Sequence, residues 1–243
     1  IGICVAITIL SLVALALVTF FVVRDNTLSG LDERIGQLTR VHANELTEWV
    51  QEKQRITGSL KLAVDQAEPI AFLHAAKQAG GFDDTYFGFA DKRHVFDHPM
   101  PEGYDPTQRP WYQQAAAANG PILTPAYVDA STGKLTISFA EPVGAPGQPT
   151  AVVATDMHLD SVTRKVASIH PMTKSFAFLL DGQSNILAHS QPDLVLKPAT
   201  TIAPELTPAL LGQLVTQGGH AQLPIGGAKQ MLYASRVEGT PWV

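Results

Sequence analysis

The first 23 residues, Ile1 to Val23, carry no charged side chain, and only the hydroxyls of Thr8, Ser11 and Thr19 interrupt the apolar run. As a helix rising 1.5 Å per residue, such a stretch covers roughly the 30 Å hydrocarbon core of a bilayer. It outruns the about 7–15 apolar residues of a secretory signal core, and it passes into Arg24 with no small-x-small cleavage pattern after Phe20. A transmembrane helix over 1–23 is the expectation, with a cleaved signal as the weaker alternative. The chain opens on Ile1 with neither an initiator Met nor a basic flank. A longer N-terminus is therefore expected, and the positive-inside rule cannot orient the span.

From 25 to about 67 the apolar residues Leu28, Leu31, Ile35, Leu38, Val41, Leu46, Val50, Ile56, Leu60 and Val64 recur largely at steps of three and four. That period predicts one long helix, a stalk over 24–68. Its charged residues, among them Asp32, Glu33, Glu45, Glu48, Glu52 and Lys53, fall mostly between those positions and should wet the other face. Gly58 is its weak point and Pro69 should end it. A short second helix is expected from Ile70 to Gln78, closed by Gly80 and Gly81.

The pattern then changes to short strands broken by turn residues: 86–90, 94–96, 123–129, 135–142 and 151–157, with a helix over 109–118 and another over 159–169. A smaller set follows: strands near 176–181, 186–189, 221–224 and 230–237, a helix near 206–217, and a Gly226-Gly227 hairpin. The fold class is α+β, with two antiparallel-sheet modules in tandem over 69–170 and 171–243. Pro241 to Val243 reads as the opening of a strand that continues beyond the chain.

Composition removes several functions. The net charge is −5 and the Lys and Arg are scattered, which argues against nucleic acid. Cys4, the one cysteine, lies in the apolar run, so an oxidising compartment is permitted. The eight histidines show no HExxH spacing, and no nucleophile elbow, phosphate loop or reactive thiol is present. No enzyme, metal or cofactor is expected.

The residues that carry chemistry stand between 104 and 156: Tyr104, Arg109, Trp111 and Tyr112, then Tyr127 and Asp129, then Asp156. An α-amino acid presents a planar carboxylate and, nearby, an ammonium group. Guanidinium meets the carboxylate through two parallel hydrogen bonds; carboxylates and a phenol oxygen suit the three ammonium donors. Arg109 can be the fork, and Asp129 and Asp156 the anions. Tyr127 and Asp129, two apart on a strand, should leave one face together. Each has an ordinary alternative: Arg109 bridging to Asp105, Trp111 as core, Asp129 as a turn residue before Ser131, and Asp156 capping the helix near Leu159.

The phrase Gly103-Tyr104-Asp105-Pro106-Thr107-Gln108-Arg109-Pro110-Trp111-Tyr112, with Tyr127-x-Asp129 and Asp156, resembles the double Cache (dCache) domains of methyl-accepting chemotaxis receptors, in their amino-acid-sensing subset. The resemblance covers nearly the whole chain. It implies two PAS-like modules, 69–170 membrane-distal and ligand-binding, 171–243 membrane-proximal. It implies that Tyr104, Arg109 and Trp111 hold the ligand carboxylate and that Tyr127, Asp129 and Asp156 hold the ammonium. Tyr112, Phe87, Phe89 and Phe96 are possible pocket walls, and the loops 81–84 and 98–101 are where side-chain specificity is expected. The implied partners are an L-amino acid, the membrane and a second copy along the stalk helix. The implied location is the inner membrane, with the sensor region in the periplasm. A Cache sensor for amines or polyamines, the outer half of a histidine kinase or diguanylate cyclase, and a module that docks a binding protein are the rivals.

Overall fold

The structure is a computed structural model that describes residues 2–169 and 175–243, without the side chains of 2–11, 13, 14 and 25–29. Helix α1 (Gly2–Ser59) is unbroken over 58 residues, about 87 Å at 1.5 Å per residue. Among the described residues no helix is long and apolar enough to cross a membrane. The expected span over 1–23 falls mainly on residues 1–11, 13 and 14, whose side chains lie outside them. Leu12, Leu15, Leu17, Val18 and Phe20 to Val23 are each more than half exposed. After Ser59 the helix tightens into a 3-10 turn, Leu60–Ala63. Pro69 does not end the long helix but opens α2 (Pro69–Gly80) at a first-turn position, where its missing N–H is not needed. Gly81, at φ +57°, closes α2 in the left-handed conformation, and its N–H reaches the carbonyls of Lys77 and Gln78, as a glycine C-cap should.

Lys53 departs from the expected wet face. It is only 8% exposed: its ammonium donates to the Gly80 carbonyl and stands over the rings of Trp49 and Phe82, 5.4 and 5.3 Å from their centroids. The negative end of α2 and two π faces replace its water.

Strands β1 (Asp84–Phe89), β2 (His94–Val95), β3 (Ile122–Leu123), β4 (Tyr127–Val128), β5 (Leu135–Ala145) and β6 (Gln148–His158) form one antiparallel sheet. Its order is β2-β1-β6-β5-β3, with β4 also paired to β5. Asp156 lies between Asp84 on one side and Ser138 on the other, each its partner in register.

Because side chains alternate, the strands divide cleanly. Phe87 and Val153 point to one face, where they pack with Leu60, Ala63, Leu73 and Ala76; Ile137, Phe139 and Met157 pack with Leu46 and Val50 of α1. Tyr86, Ala140, Val152 and Ala154 point the other way, under Trp111, Tyr112 and Ala115 of α3 (Pro110–Ala117). Each fully buried Leu, Val or Phe contributes about 1.5–3 kcal/mol.

Helix α4 (Leu159–Ala167) leads out of β6. Beyond it are β7 (Leu179–Leu180), β8 (Ile186–Ala188), α5 (Pro208–Gln217), β9 (Ala221–Ile225) and β10 (Ala228–Leu232). The expected module boundary near 170 lies outside the described residues. Among those described, 171–243 holds two separate two-stranded sheets, β7-β8 and β9-β10, where one sheet was expected. Gly226 and Gly227 do make the β9–β10 turn. Val243 exchanges backbone hydrogen bonds with Leu180 in both directions. Leu179, Leu187, Val237 and Trp242 share the core of Ile137, Phe139 and α4.

Candidate functional site

The segment before α3 is built by short-range rules. Asp105 accepts from the Thr107 N–H and hydroxyl, at 3.0 and 2.6 Å, fixing a 3-10 turn, Pro106–Gln108. Arg109 follows in an extended conformation, φ −89° and ψ 147°, the region the next proline imposes, and Pro110 starts α3. Its side chain therefore leaves the helix at its mouth. Nη2 donates to the Val128 carbonyl at 2.9 Å, and the guanidinium lies 5.8 Å from the Tyr127 ring centroid. Asp105 pairs with Lys92 at 3.0 Å, so it is not the partner of Arg109.

Trp111 is buried, edge-on to Tyr86 with centroids 4.9 Å apart. A Cβ on Gly88 would come within 2.9 Å of the Trp111 ring and 2.6 Å of Pro106; only glycine on β1 lets this segment lie so close. Burial pushes the Tyr104 phenol up to about 12, against the pull of the neighbouring Trp111 and Arg109.

At the other end Asp156 is 2% exposed. One of its oxygens accepts from the Tyr86 hydroxyl at 2.7 Å and the Ser138 hydroxyl at 2.6 Å. The Tyr127 hydroxyl meets Ser138 at 2.7 Å. Burial pushes the Asp156 carboxyl up to about 8, although Ser138 and Tyr86 stabilise its anion and Asp84 and Asp129 repel it. Burial likewise raises Tyr86 and Tyr127. The helix-cap alternative does not describe Asp156. His158 is the N-cap residue of α4, and Asp83 accepts its N–H at 2.8 Å.

Asp129 sits differently from the expectation. Strand β4 stops at Val128, and Asp129 opens the turn to β5. One carboxylate oxygen accepts from the N–H and hydroxyl of both Ser131 and Thr132, at 2.6–3.1 Å. Burial would raise it, but these bonds hold it below the ordinary carboxylate value. Its charge still acts on Tyr104, Tyr127 and Asp156. The turn role and proximity to the other residues therefore coexist.

Phe87 and Phe89 belong to the opposite face of the sheet, against α2 and the 60–63 turn, so they do not face Asp156. Tyr112 is buried beside Trp111, centroids 5.6 Å apart; burial raises it, and the charges acting on it are Asp91 and Asp105. The residues that do meet the site are Tyr86 and Ser138, on Asp156, and Phe96, stacked on Tyr86 at 4.4 Å. The alternation Asp84-x-Tyr86-x-Gly88, counted from the carboxylate, would have pointed to Tyr86.

Residues 64–164 match the family described as methyl-accepting chemotaxis protein-like, first PDC sensor domain. The chain is 34% identical over 145 residues to the methyl-accepting chemotaxis protein McpG of Pseudomonas putida, covering 60% of this chain and 22% of that protein. It is 26% identical over 247 residues to PctB of Pseudomonas aeruginosa, covering 94% and 37%. The chain thus spans well under half the length of these relatives. The ligand-binding domain of PctB solved with L-Arg superposes with a TM-score of 0.75 at 27% identity, covering 88% of this chain and 93% of that one. The ligand-binding domain of the Pseudomonas fluorescens chemoreceptor CtaA, solved with L-isoleucine, shares the fold with a TM-score of 0.75 at 24% identity over 90% and 92%.

Proposed function

We propose that this chain, whose residues 64–164 match the methyl-accepting chemotaxis protein-like first PDC sensor domain, is the extracytoplasmic sensor region of a chemotaxis transducer that binds L-amino acids directly. The observation that carries the reading is the run of contacts from Arg109 to Asp156 on one face of the sheet. Arg109, at the start of α3, lies over the Tyr127 ring and donates to the Val128 carbonyl, and the Tyr127 hydroxyl leads through Ser138 to the buried Asp156. Arg109 and the Trp111–Tyr104 pair take the ligand carboxylate. Asp156, with Asp129 and the Tyr127 hydroxyl, takes the ammonium, whose charge compensates a carboxylate that burial otherwise neutralises. The ligands in the PctB and CtaA structures are amino acids, which supports the same class here.

The chain reaches the membrane through 1–23, continuous with the helix that packs under the sheet. Ligand signals by favouring one of two arrangements of α1. The exposed Leu31, Leu38 and Val41 of α1 provide the stripe on which a second copy pairs in the inner membrane, with the modules in the periplasm.

Calorimetric titration of the chain with L-alanine and with ethylamine, its decarboxylated counterpart, tests the reading. Saturable heat from alanine alone is expected. Equal binding of the amine would move the protein to an amine sensor, and silence toward all twenty amino acids would remove direct binding altogether.

A further inference from the structure

An extended stripe of rings borders the ammonium end. His94, Phe96 and His98 alternate along β2 and the segment after it, so all three can face one side. Phe96 stacks on Tyr86 and meets Tyr104 edge-on at 5.6 Å. His94 meets Tyr104 at 5.1 Å. His98 lies 5.5 Å from Phe96 and places Nε2 2.7 Å from Asp84. Asp84, in register beside Asp156, is the first residue of β1 on the site face. Behind the stripe, Lys77 of α2 lies 3.2 Å from Asp97 and 3.6 Å from Asp84, and His74 lies 3.2 Å from Asp97. The side chains of the two carboxylates are only 13% and 12% exposed, whereas that of Lys77 is 31% exposed.

We infer that this stripe, with Asp84 and Asp97 behind it, is the wall that receives the ligand's side chain, and that it selects L-amino acids whose side chains are cationic. The inference rests on the amino-acid reading above and adds the class of side chain. Three features favour a cation. The π faces of Phe96 and Tyr104 attract positive charge, with the buried Tyr86 stacked behind Phe96. With Asp129 and Asp156 taken by the ammonium, Asp84 and Asp97 remain to serve this end, against Lys77 and the histidines. Lys77 is the natural competitor, and as a partly exposed, flexible side chain it can yield its place to a ligand cation. An acidic side chain would enter among those carboxylates with no free fork to meet it, since Arg109 is engaged by the α-carboxylate.

Calorimetric affinities of the purified chain for L-arginine, L-alanine and L-glutamate test the assignment. The expected order is arginine, alanine, glutamate. Asp84→Asn should lower the arginine-to-alanine affinity ratio roughly tenfold, and Lys77→Met, which removes the built-in competitor, should raise it. If Asp84→Asn does not fold, Asp97→Asn carries the same expectation. Glutamate binding as tightly as arginine, or substitutions that change both affinities in equal proportion, would overturn the wall while leaving amino-acid sensing intact. No binding of any amino acid would sink both readings.

Discussion

The two faces of the six-stranded sheet are made by the same strands yet solve different problems. On the α1 and α2 face, Phe87, Phe139, Ile137 and Val153 are fully buried among aliphatic and aromatic neighbours, and the few polar groups there are paired, as in the Thr57–Thr155 hydroxyl contact at 2.7 Å. On the α3 face the same strands present Asp84, Tyr86, Ser138 and Asp156, with two hydroxyls directed at one buried carboxylate. Burial stabilises the first face and destabilises a charge on the second. One residue of displacement along a strand therefore separates a residue that holds the fold from one that faces the proposed ligand site.

The sharpest attempt to break that contrast is a pair of substitutions on opposite faces of the paired strands β1 and β6. Phe87→Ala removes a fully buried ring and should lower unfolding stability by about 3–5 kcal/mol, read by denaturant unfolding. Amino-acid affinity of the molecules still folded should move little. Asp156→Asn should do the reverse. It keeps an acceptor for Tyr86 and Ser138, so the melting temperature should not fall, while loss of the charged partner weakens amino-acid binding by about 2–5 kcal/mol, or roughly 30-fold and more. An affinity within twofold of the parent would mean that Asp156 only packs.

A smaller effect sharpens the boundary between the faces. Gly88→Ala places a methyl against Pro106 and Trp111, so it should cost about 1–3 kcal/mol through overpacking. It should also displace the segment that delivers Arg109. Both melting temperature and alanine affinity should fall together, unlike either substitution above. A variant that melts early yet binds normally would show that α3 and the Arg109 segment shift independently.

Much of this division is visible in the sequence, for reasons that can be named. The long helix is set by its period, α2 by the Pro69 opening and the Gly81 close, and the Arg109 segment by Asp105 and Pro110, all short-range effects. The face to which each β1 residue belongs was harder to read. Thr85-Tyr86-Phe87-Gly88-Phe89 lacks polar alternation, because the sheet is covered on both sides, and a buried strand offers no parity from its own pattern. Phe87 and Phe89 therefore read as wall candidates although they sit behind the sheet. Asp129 was legible as a ligand or as a turn residue because its side chain makes the turn while its charge faces the site. The burial of Lys53 depends on Gly80, 27 residues away, and no local pattern reports it.

The smallest expected effect is a slope, read per unit of pH. Burial holds the Asp156 carboxyl near 8 in the folded protein, whereas in the unfolded chain it titrates near the ordinary value of about 3.9. The folded state therefore binds the proton that the unfolded state has released. This group's stabilisation is complete below the unfolded value and is lost as pH rises toward 8, at about 1.4 kcal/mol per pH unit within that window. Asp156→Asn should flatten this slope in pH-dependent melting curves, leaving the contributions of His98 and the other titrating groups in place. Ligand should act in the opposite direction, because an ammonium binds the ionised carboxylate. Near pH 7 an amino acid must expel that proton, so its affinity should rise with pH up to about 8, and titrations in buffers of different ionisation enthalpy should report close to one proton released per ligand. Equal heats in all buffers, with no change in affinity from pH 6 to 8, would mean that the carboxylate is already ionised without ligand and that the site face bears a buried charge as readily as the other face bears a ring.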